Sequence, residues 1–149
     1  ALIVIERGTP LGEIERTGIE VDGIVTSQLL INIFEHNTPL HDGAVVIRGN
    51  RVTAATCYLP LSDNMDISKA LGTRHRAAVG VSEATDSVTL VVSEETGRVS
   101  VAVSGRLMIV KDGDELRDML SVLVKRETEN TGRFRIWKGR RRNERKADE

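Results

Sequence analysis

The chain has 149 residues, the size of one typical domain, with 40% hydrophobic and 29% charged residues, as in an ordinary globular protein. Its single cysteine, Cys57, excludes an intrachain disulfide, and no apolar run approaches the roughly 20 residues that cross a bilayer. Residues 133–149 hold eight Lys and Arg against three Asp and Glu, which leaves 13 basic against 19 acidic residues in the rest. Because an acidic body repels a phosphate backbone, we expect no nucleic-acid partner.

Apolar runs and turn residues predict alternating strands and helices. Residues 1–6 are predicted to form a strand that is buried on both faces. Further strands are predicted at 43–48, 51–58, 87–93, 98–103 and 106–110. Helices are predicted at Leu11–Arg16, from Thr26 or Ser27 to about Phe34, at Ile67–Leu71, from Thr73 to about Thr85, and from Asp112 to about Glu127. Since adjacent hairpins cannot be parallel, the predicted fold is α/β, a single domain with a central mixed β-sheet flanked by helices.

The same pattern predicts how the chain is organised. Residues 1–127 are expected to form one domain, and residues 128–149 a basic, disordered tail. The chain opens directly on an apolar strand without an initiator methionine. We therefore expect a longer protein, in which a segment ahead of Ala1 could anchor it to a membrane.

A first polar cluster, His41-Asp42-Gly43-Ala44, leads into the strand at 43–48. An aspartate at this position can bind a cation or accept a proton, and small residues let a ligand approach the backbone. An ordinary turn ahead of a strand explains the same residues equally well.

A second cluster, Gly72-Thr73-Arg74-His75-Arg76, stands at the start of a predicted helix. Two arginines beside free backbone N–H groups suit an anion, whereas for stability alone cations oppose the helix dipole. A solvated helix start is the alternative. The glycine pattern of a P-loop and that of a dinucleotide-binding fold are both missing from this segment.

A third cluster, Ser93-Glu94-Glu95, lies in the turn between two apolar strands. Hydroxyl and carboxylate oxygens are the ligands that Mg²⁺ and Mn²⁺ prefer. A charged hairpin turn would have the same composition, so none of the three clusters is decisive alone.

Together, and in this order and spacing, the three clusters closely resemble the motifs of the diadenylate cyclase (DAC) family. The resemblance extends from residue 1 to about 124 and includes the segments Leu29–Phe34 and Cys57–Ser62. Within the family, the chain is most similar to the membrane-anchored CdaA type. That type implies a cytoplasmic catalytic domain, here residues 1–127, in a full-length protein at the cell membrane.

The resemblance implies a reaction in which two ATP molecules give cyclic di-AMP, a bacterial second messenger, and two pyrophosphates. It implies Mg²⁺ or Mn²⁺, with Co²⁺ as a further option, as the cofactor. It also implies a face-to-face homodimer for turnover, with regulatory proteins as further partners.

Carried over to this chain, the resemblance implies two catalytic residues. Asp42 would help to remove the 3′-hydroxyl proton, and Arg74 would stabilise the departing pyrophosphate. The residues that it implies to bind the substrate are Gly43, Ala44, Tyr58, Leu59, Gly72, Thr73, His75, Arg76, Ser93 and Glu94. The implied metal ligands are His41 and Glu95.

Two other functions remain open on the sequence. The chain could be a module that senses ATP or cyclic di-AMP without turnover, although a sensor has no need of Asp42 and Arg74. It could also bind nucleic acid through its basic tail. Cys57 is interpreted as a small core residue because no base is evident near it in the sequence.

Overall fold

The computed structural model describes residues 1–124. Residues 1–111 form one compact unit, and a second unit begins at Asp112, with residues 113–124 in a helix. The strands are β1 (Leu2–Ile5), β2 (Ile19–Ile24), β3 (Ala44–Arg48), β4 (Arg51–Cys57), β5 (Val88–Val92), β6 (Val99–Val103) and β7 (Arg106–Val110). The helices of the first unit are α1 (Gly12–Glu15), α2 (Ser27–Ile33) and α3 (Thr73–Ala84).

All seven strands form one sheet in the order β2-β4-β3-β1-β5-β6-β7. β1 pairs with β3 in parallel, and every other neighbouring pair is antiparallel. The predicted mixed sheet flanked by helices is confirmed. β1 and β3 run in the same direction and β5 runs in the opposite one. The first residues of β1 and β3 and the last residues of β5 therefore lie at the same end of the strands.

Helices cover both faces of the sheet. Successive side chains of a strand point to opposite faces, so Leu2 and Val4 enter one hydrophobic cluster while Ile3 and Ile5 pack against the other. The first cluster holds residues of α1 and α3, and the second holds Ile33 of α2. The first strand was predicted to be buried on both faces, and this is confirmed for the face of Leu2 and Val4, whereas Ile3 and Ile5 on the other face are half-buried.

Most predicted elements are present within a residue or two of their expected bounds. Thr26 caps α2 as predicted, because its hydroxyl accepts a hydrogen bond from the backbone N–H of Leu29 at 3.0 Å. Asp112 likewise accepts a hydrogen bond from the backbone N–H of Glu115 where the predicted last helix begins. The predicted tail at 128–149 lies outside the described residues, and the domain boundary at 127 stays a prediction.

Two segments differ from the prediction. Residues 67–71 form turns instead of a helix, with the Ser68 hydroxyl accepting a hydrogen bond from the backbone N–H of Ala70. β2 was not predicted, because Asp22-Gly23 is typical of a turn. In the structure this pair lies in an irregularity of an edge strand, where the pairing with β4 shifts register and Asp22 has a φ of +49°.

Among the described residues, no helix combines the length and the hydropathy that a membrane crossing requires.

Candidate active site

The first polar cluster lies where β3 begins. Gly43 has a φ of +89°, a backbone conformation that favours glycine. A Cβ at this position would stand 2.9 Å from Cα of Thr56, so a larger residue would collide with the backbone of β4. The oxygen Oδ1 of Asp42 accepts a hydrogen bond from the Gly43 N–H at 3.1 Å. The close strand contact thus fixes the backbone that carries Asp42 while the carboxylate itself stays exposed.

Two of the predicted substrate-binding residues, Tyr58 and Leu59, lie beside this cluster. Ala44, at the start of β3, pairs with Cys57, at the end of β4, so Tyr58 and Leu59 follow directly at the same edge of the sheet. Leu59 packs against the core, and the Tyr58 side chain is exposed. An exposed aromatic ring next in sequence to a partly buried aliphatic residue offers apolar surface that a nucleobase could contact.

Cys57 is a core residue, as predicted. Its side chain is buried, and burial, with a smaller effect of the Glu15 carboxylate, raises the pKa of the thiol to about 11. A thiol with this pKa stays protonated near neutral pH, so Cys57 is not a nucleophile.

The second cluster forms the first turn of α3. Gly72 is the N-cap residue, and no side chain caps the helix, so the first N–H groups of this turn have no side-chain partner. Thr73 is exposed, Arg74 is half-buried, and His75 is buried. The turn therefore combines a helix N-terminus with a guanidinium, the combination that the sequence predicted for an anion site.

The third cluster forms the tight turn between β5 and β6. The Ser93 hydroxyl accepts a hydrogen bond from the backbone N–H of Thr96, and the backbone of Ser93 pairs with that of Arg98. The side chain of Glu94 is exposed and extends from this turn toward α3.

Arg74 joins the three clusters. Its nitrogen Nη2 lies 3.3 Å from Oδ1 of Asp42 and 3.0 Å from Oε1 of Glu94. Because both distances start at one atom, their sum of 6.3 Å is the largest possible separation of the two carboxylate oxygens. Ion pairs this exposed contribute little to stability, so a triphosphate can replace either carboxylate as the partner of the guanidinium at low cost.

A cavity of about 690 Å³ opens next to Arg74. One wall is the segment 66–72 and another is formed by β6 and β7. Seven of the predicted site residues line it: Gly72, Thr73, Arg74, His75, Ser93, Glu94 and Glu95. Arg74 thus reaches both the cavity and Asp42, which is not part of the cavity lining.

Among the polar residues that line the cavity, only Ser100 is more buried than His75. Burial lowers the pKa of its imidazole, with a smaller effect from the Ala1 amino group. The ring is therefore neutral at pH 7, so it can donate one hydrogen bond to a ligand without adding charge.

The predicted metal ligands are His41 and Glu95. Within residues 1–124, no group of three His, Cys, Asp or Glu side chains forms a metal cage. A cation shared with a triphosphate needs only one or two protein carboxylates, because phosphate and water oxygens complete its shell. Glu94 and Glu95, both exposed and adjacent in one turn, fit that requirement.

His41 also has the geometry of a metal ligand. Its Nδ1 lies 2.7 Å from the carbonyl oxygen of Thr38, and since a carbonyl only accepts, Nδ1 carries the proton. In the neutral ring Nε2 then keeps a free lone pair. A ligating histidine typically has this arrangement, with the other ring nitrogen bound to a backbone carbonyl.

Arg76 differs from the other predicted substrate-binding residues in its surroundings. It is not part of the cavity lining, and its guanidinium Nη1 lies 3.5 Å from the carbonyl oxygen of Asn64. Its role in substrate binding stays a prediction.

Two further cations, Lys69 and Arg98, line the cavity and were not predicted from the sequence. Their neighbours along the chain resemble ordinary polar turns, so no local signal marked them. Only the folded arrangement places them beside Arg74.

The chain is similar in sequence to proteins of one known family. The model of the DAC family, described as DisA bacterial checkpoint controller nucleotide-binding, matches residues 1–107. The chain is 54% identical over 142 residues to the cyclic di-AMP synthase CdaA of Bacillus subtilis, which covers 95% of this chain and 52% of that protein. It is 51% identical over 140 residues to a diadenylate cyclase of Listeria monocytogenes, which covers 93% of this chain and 51% of that protein. The chain therefore spans about half the length of these relatives.

Two solved structures share the fold. A crystal structure of a double mutant of DacA from Staphylococcus aureus matches with a TM-score of 0.79 at 50% identity, covering 81% of each chain. The structure of a hypothetical membrane spanning protein from Bacillus cereus matches with a TM-score of 0.73 at 46% identity, covering 75% of this chain and 55% of that one.

Proposed function

This chain belongs to the DAC family, and from that premise we propose that it is a diadenylate cyclase, which joins two ATP molecules into cyclic di-AMP and releases two pyrophosphates. The relatives named as diadenylate cyclases or cyclic di-AMP synthases support this assignment. The observation that carries it is the position of the Arg74 guanidinium, within 3.3 Å of Asp42 and 3.0 Å of Glu94.

The reaction consists of two equivalent attacks, and in each of them one bond forms and one bond breaks. The 3′-oxygen of one ATP forms a bond to the α-phosphorus of the other, while the bond from that phosphorus to the bridging oxygen of pyrophosphate breaks. A hydroxyl is a weak nucleophile, so Asp42 takes up the proton of the 3′-hydroxyl as the bond forms. Arg74 stabilises the negative charge that pyrophosphate carries away.

The remaining site residues hold the nucleotide. Gly43 and Ala44 let the ribose approach the backbone of β3, and Tyr58 and Leu59 contact the adenine. The first turn of α3 binds the triphosphate through Gly72, Thr73, His75 and Arg76, and the β5–β6 turn does so through Ser93 and Glu94. This division agrees with the position of the cavity beside α3 and of Tyr58 at the end of β4.

A divalent cation, Mg²⁺ or Mn²⁺ with Co²⁺ as an alternative, is proposed to bind with the triphosphate. When bound, it would neutralise phosphate charge as pyrophosphate departs. Glu95 and the free Nε2 of His41 are the proposed protein ligands.

Two copies of the chain are proposed to work face to face. Each copy binds one ATP, and ring closure needs one attack in each direction. A two-fold axis supplies both attacks with the same set of residues. Product formation per protein molecule should therefore rise with protein concentration wherever the dimer forms only transiently.

We also propose that the full-length protein lies at the cell membrane with this catalytic domain in the cytoplasm. The support is the Bacillus cereus relative, which is described as membrane spanning. In this proposal membrane contact comes from a segment outside this chain, regulatory proteins are possible partners, and nucleic acid is not.

The test is incubation of the purified chain with ATP and Mn²⁺ or Mg²⁺, followed by mass spectrometry. We expect cyclic di-AMP and two pyrophosphates for each molecule formed, and loss of both when a chelator is added. ATP binding without any product would contradict the proposal and support the alternative function of a nucleotide sensor.

A further inference from the structure

We propose that Ser62 and Glu83 are positioning residues for nucleotide binding, which lock the cavity wall onto helix α3. This inference rests on the proposed function, since it concerns how the same site holds ATP. Neither residue lines the cavity, so both act through other residues.

The Ser62 side chain links two parts of the fold. It is only 5% exposed, and its hydroxyl donates a hydrogen bond to the Glu83 carboxylate near the end of α3. The same hydroxyl oxygen accepts a hydrogen bond from the backbone N–H of Asn64 at 3.1 Å. Ser62 therefore connects a helix on one side to the start of the cavity wall on the other.

The connection continues into the wall itself. The side-chain oxygen of Asn64 accepts a hydrogen bond from the backbone N–H of Asp66 at 2.9 Å, and both residues line the cavity. Glu83, Ser62, Asn64 and Asp66 thus form a continuous chain of hydrogen bonds. The Ser62 hydroxyl donates its one proton to Glu83, and its oxygen is thereby oriented to accept from the N–H of Asn64.

The backbone contacts between this segment and α3 are unusually close. The backbone N–H of Ser62 donates to the carbonyl of Arg76 at 3.0 Å. Gly80 lies opposite, where an added Cβ would stand 2.7 Å from the carbonyl carbon of Pro60 and 2.9 Å from the nitrogen of Ser62. Only glycine allows this approach, so the helix surface is shaped to receive residues 60–62.

The contacts of residues 60–62 with α3, including the hydrogen bond from Ser62 to Glu83, are called the joint below. Its location explains how it can affect nucleotide binding. Tyr58 and Leu59, the proposed adenine contacts, lie between the end of β4 and the joint. The cavity wall at 66–72 follows on the other side, and Arg74 lies in the first turn of α3, the helix that residues 60–62 contact. Releasing the joint frees both flanking segments, and part of the binding energy of ATP is then spent on ordering them again.

The primary experiment compares Ser62→Ala with the unaltered chain at one fixed protein concentration. One lost hydrogen bond corresponds to a rise of about three- to tenfold in KM for ATP, with kcat unchanged within about twofold. Glu83→Ala should raise KM equally, and Glu83→Gln should retain the original KM because an amide oxygen also accepts the Ser62 proton. The double variant Ser62→Ala with Glu83→Ala should be no worse than either single one.

Ser87→Ala is the matched control. Ser87 is also a fully buried serine, hydrogen-bonded to Thr85 beyond the end of α3. This control should lower the melting temperature and leave KM unchanged, which separates positioning from a general loss of stability.

Calorimetric titration with ATP separates this inference from the proposed function. If the unaltered chain makes no cyclic di-AMP, the proposed function fails, but a three- to tenfold weaker ATP affinity in Ser62→Ala still supports the joint. If Ser62→Ala does not fold, the pair Glu83→Ala and Glu83→Gln decides. An unchanged KM and affinity in the folded alanine variants would overturn the inference.

Discussion

Two arginines at opposite ends of the sheet, Arg74 and Arg48, each form ion pairs with two carboxylates. At the site, Arg74 is 31% exposed, and its partners Asp42 and Glu94 are 84% and 58% exposed. At the other end, Arg48 is 52% exposed, and its partners Glu6 and Glu15 are 13% and 18% exposed. The order of burial is therefore reversed between the two ends.

This reversal is what we expect if Arg48 stabilises the fold and Arg74 binds the substrate, as proposed above. Glu6 also accepts a backbone hydrogen bond from Leu11, so the half-buried carboxylates around Arg48 belong to the framework of the fold. At the site, the guanidinium lies deeper than its partners, and the carboxylates face the solvent from which a substrate arrives. In the proposed function a nucleotide would replace a carboxylate partner of Arg74, whereas the same exchange at Arg48 would leave two half-buried carboxylates without their cation.

The largest effect is expected for Asp42→Asn at the site. The amide preserves size but cannot take up a proton, so cyclic di-AMP formation should fall by about 10²- to 10⁴-fold. ATP affinity, measured by calorimetry, should stay close to that of the unaltered chain. Full activity in this variant would refute the role of the carboxylate as a base.

The two arginines themselves give the next largest effect. Arg74→Ala should lower product formation on the order of 10²-fold with little change in the free energy of unfolding. Arg48→Ala is its control and should do the opposite, lowering stability while the activity of the folded protein is retained. Equal effects on activity would remove the distinction between the two ends.

Gly43→Ala tests whether the exposed site depends on a rigid support. The positive φ and the collision with Thr56 predict a loss of about 1–3 kcal/mol in the free energy of unfolding, measured with urea. Activity should fall as well, because β3 and Asp42 must shift. Gly49→Ala, also at positive φ but with open space around its Cβ position, separates backbone strain from the collision.

Asp86, at the same end as Arg48, predicts a smaller effect on stability. Burial tends to raise the pKa of this carboxyl, but backbone hydrogen bonds from Thr9 and Gly8, with Arg7 nearby, lower it overall. A lowered folded pKa means that the stabilisation is present at neutral pH and lost as pH falls through that pKa. Asp86→Ala should lower the free energy of unfolding by about 1 kcal/mol at pH 7 and by less at pH 3. The activity of each folded molecule should stay unchanged.

The smallest effect concerns the pH dependence of stability at His75. Because burial lowers its pKa from 6.5, the unfolded chain takes up this proton first as pH falls. Stability should therefore decrease below pH 6.5, and His75→Gln should remove that part of the decrease. Urea unfolding at pH 7.5 and pH 5.5 measures this decrease. An equal decrease in the free energy of unfolding for the unaltered chain and for His75→Gln would contradict the assigned burial.

The sequence predicted the sheet and its helices well where local patterns agreed with the fold. Thr26 and the apolar face of α2 are examples, because capping and helical periodicity act within a few residues. β2 was missed because an edge strand tolerates Asp22-Gly23 in a bulge, and the pairing that stabilises it comes from distant β4. Residues 67–71 were wrongly predicted as a helix because Ser68 forms a turn with its own hydroxyl instead.

The candidate site was predictable to the extent that each motif keeps its chemistry within one segment. Asp42, Arg74 and Glu94 were all named from the sequence, and only the fold shows that one guanidinium joins them. Lys69 and Arg98 were missed because isolated cations in turns carry no pattern. Ser62 and Glu83 lie 21 positions apart, and nothing in the sequence alone indicates that they share a proton.

The most direct test of the central claim is a crystal structure of the chain with a non-hydrolysable ATP analogue. We predict that the triphosphate contacts the Arg74 guanidinium and that the ribose 3′-oxygen lies within hydrogen-bond reach of the Asp42 carboxylate. A nucleotide bound elsewhere on the fold, with neither side chain in contact, would contradict the account.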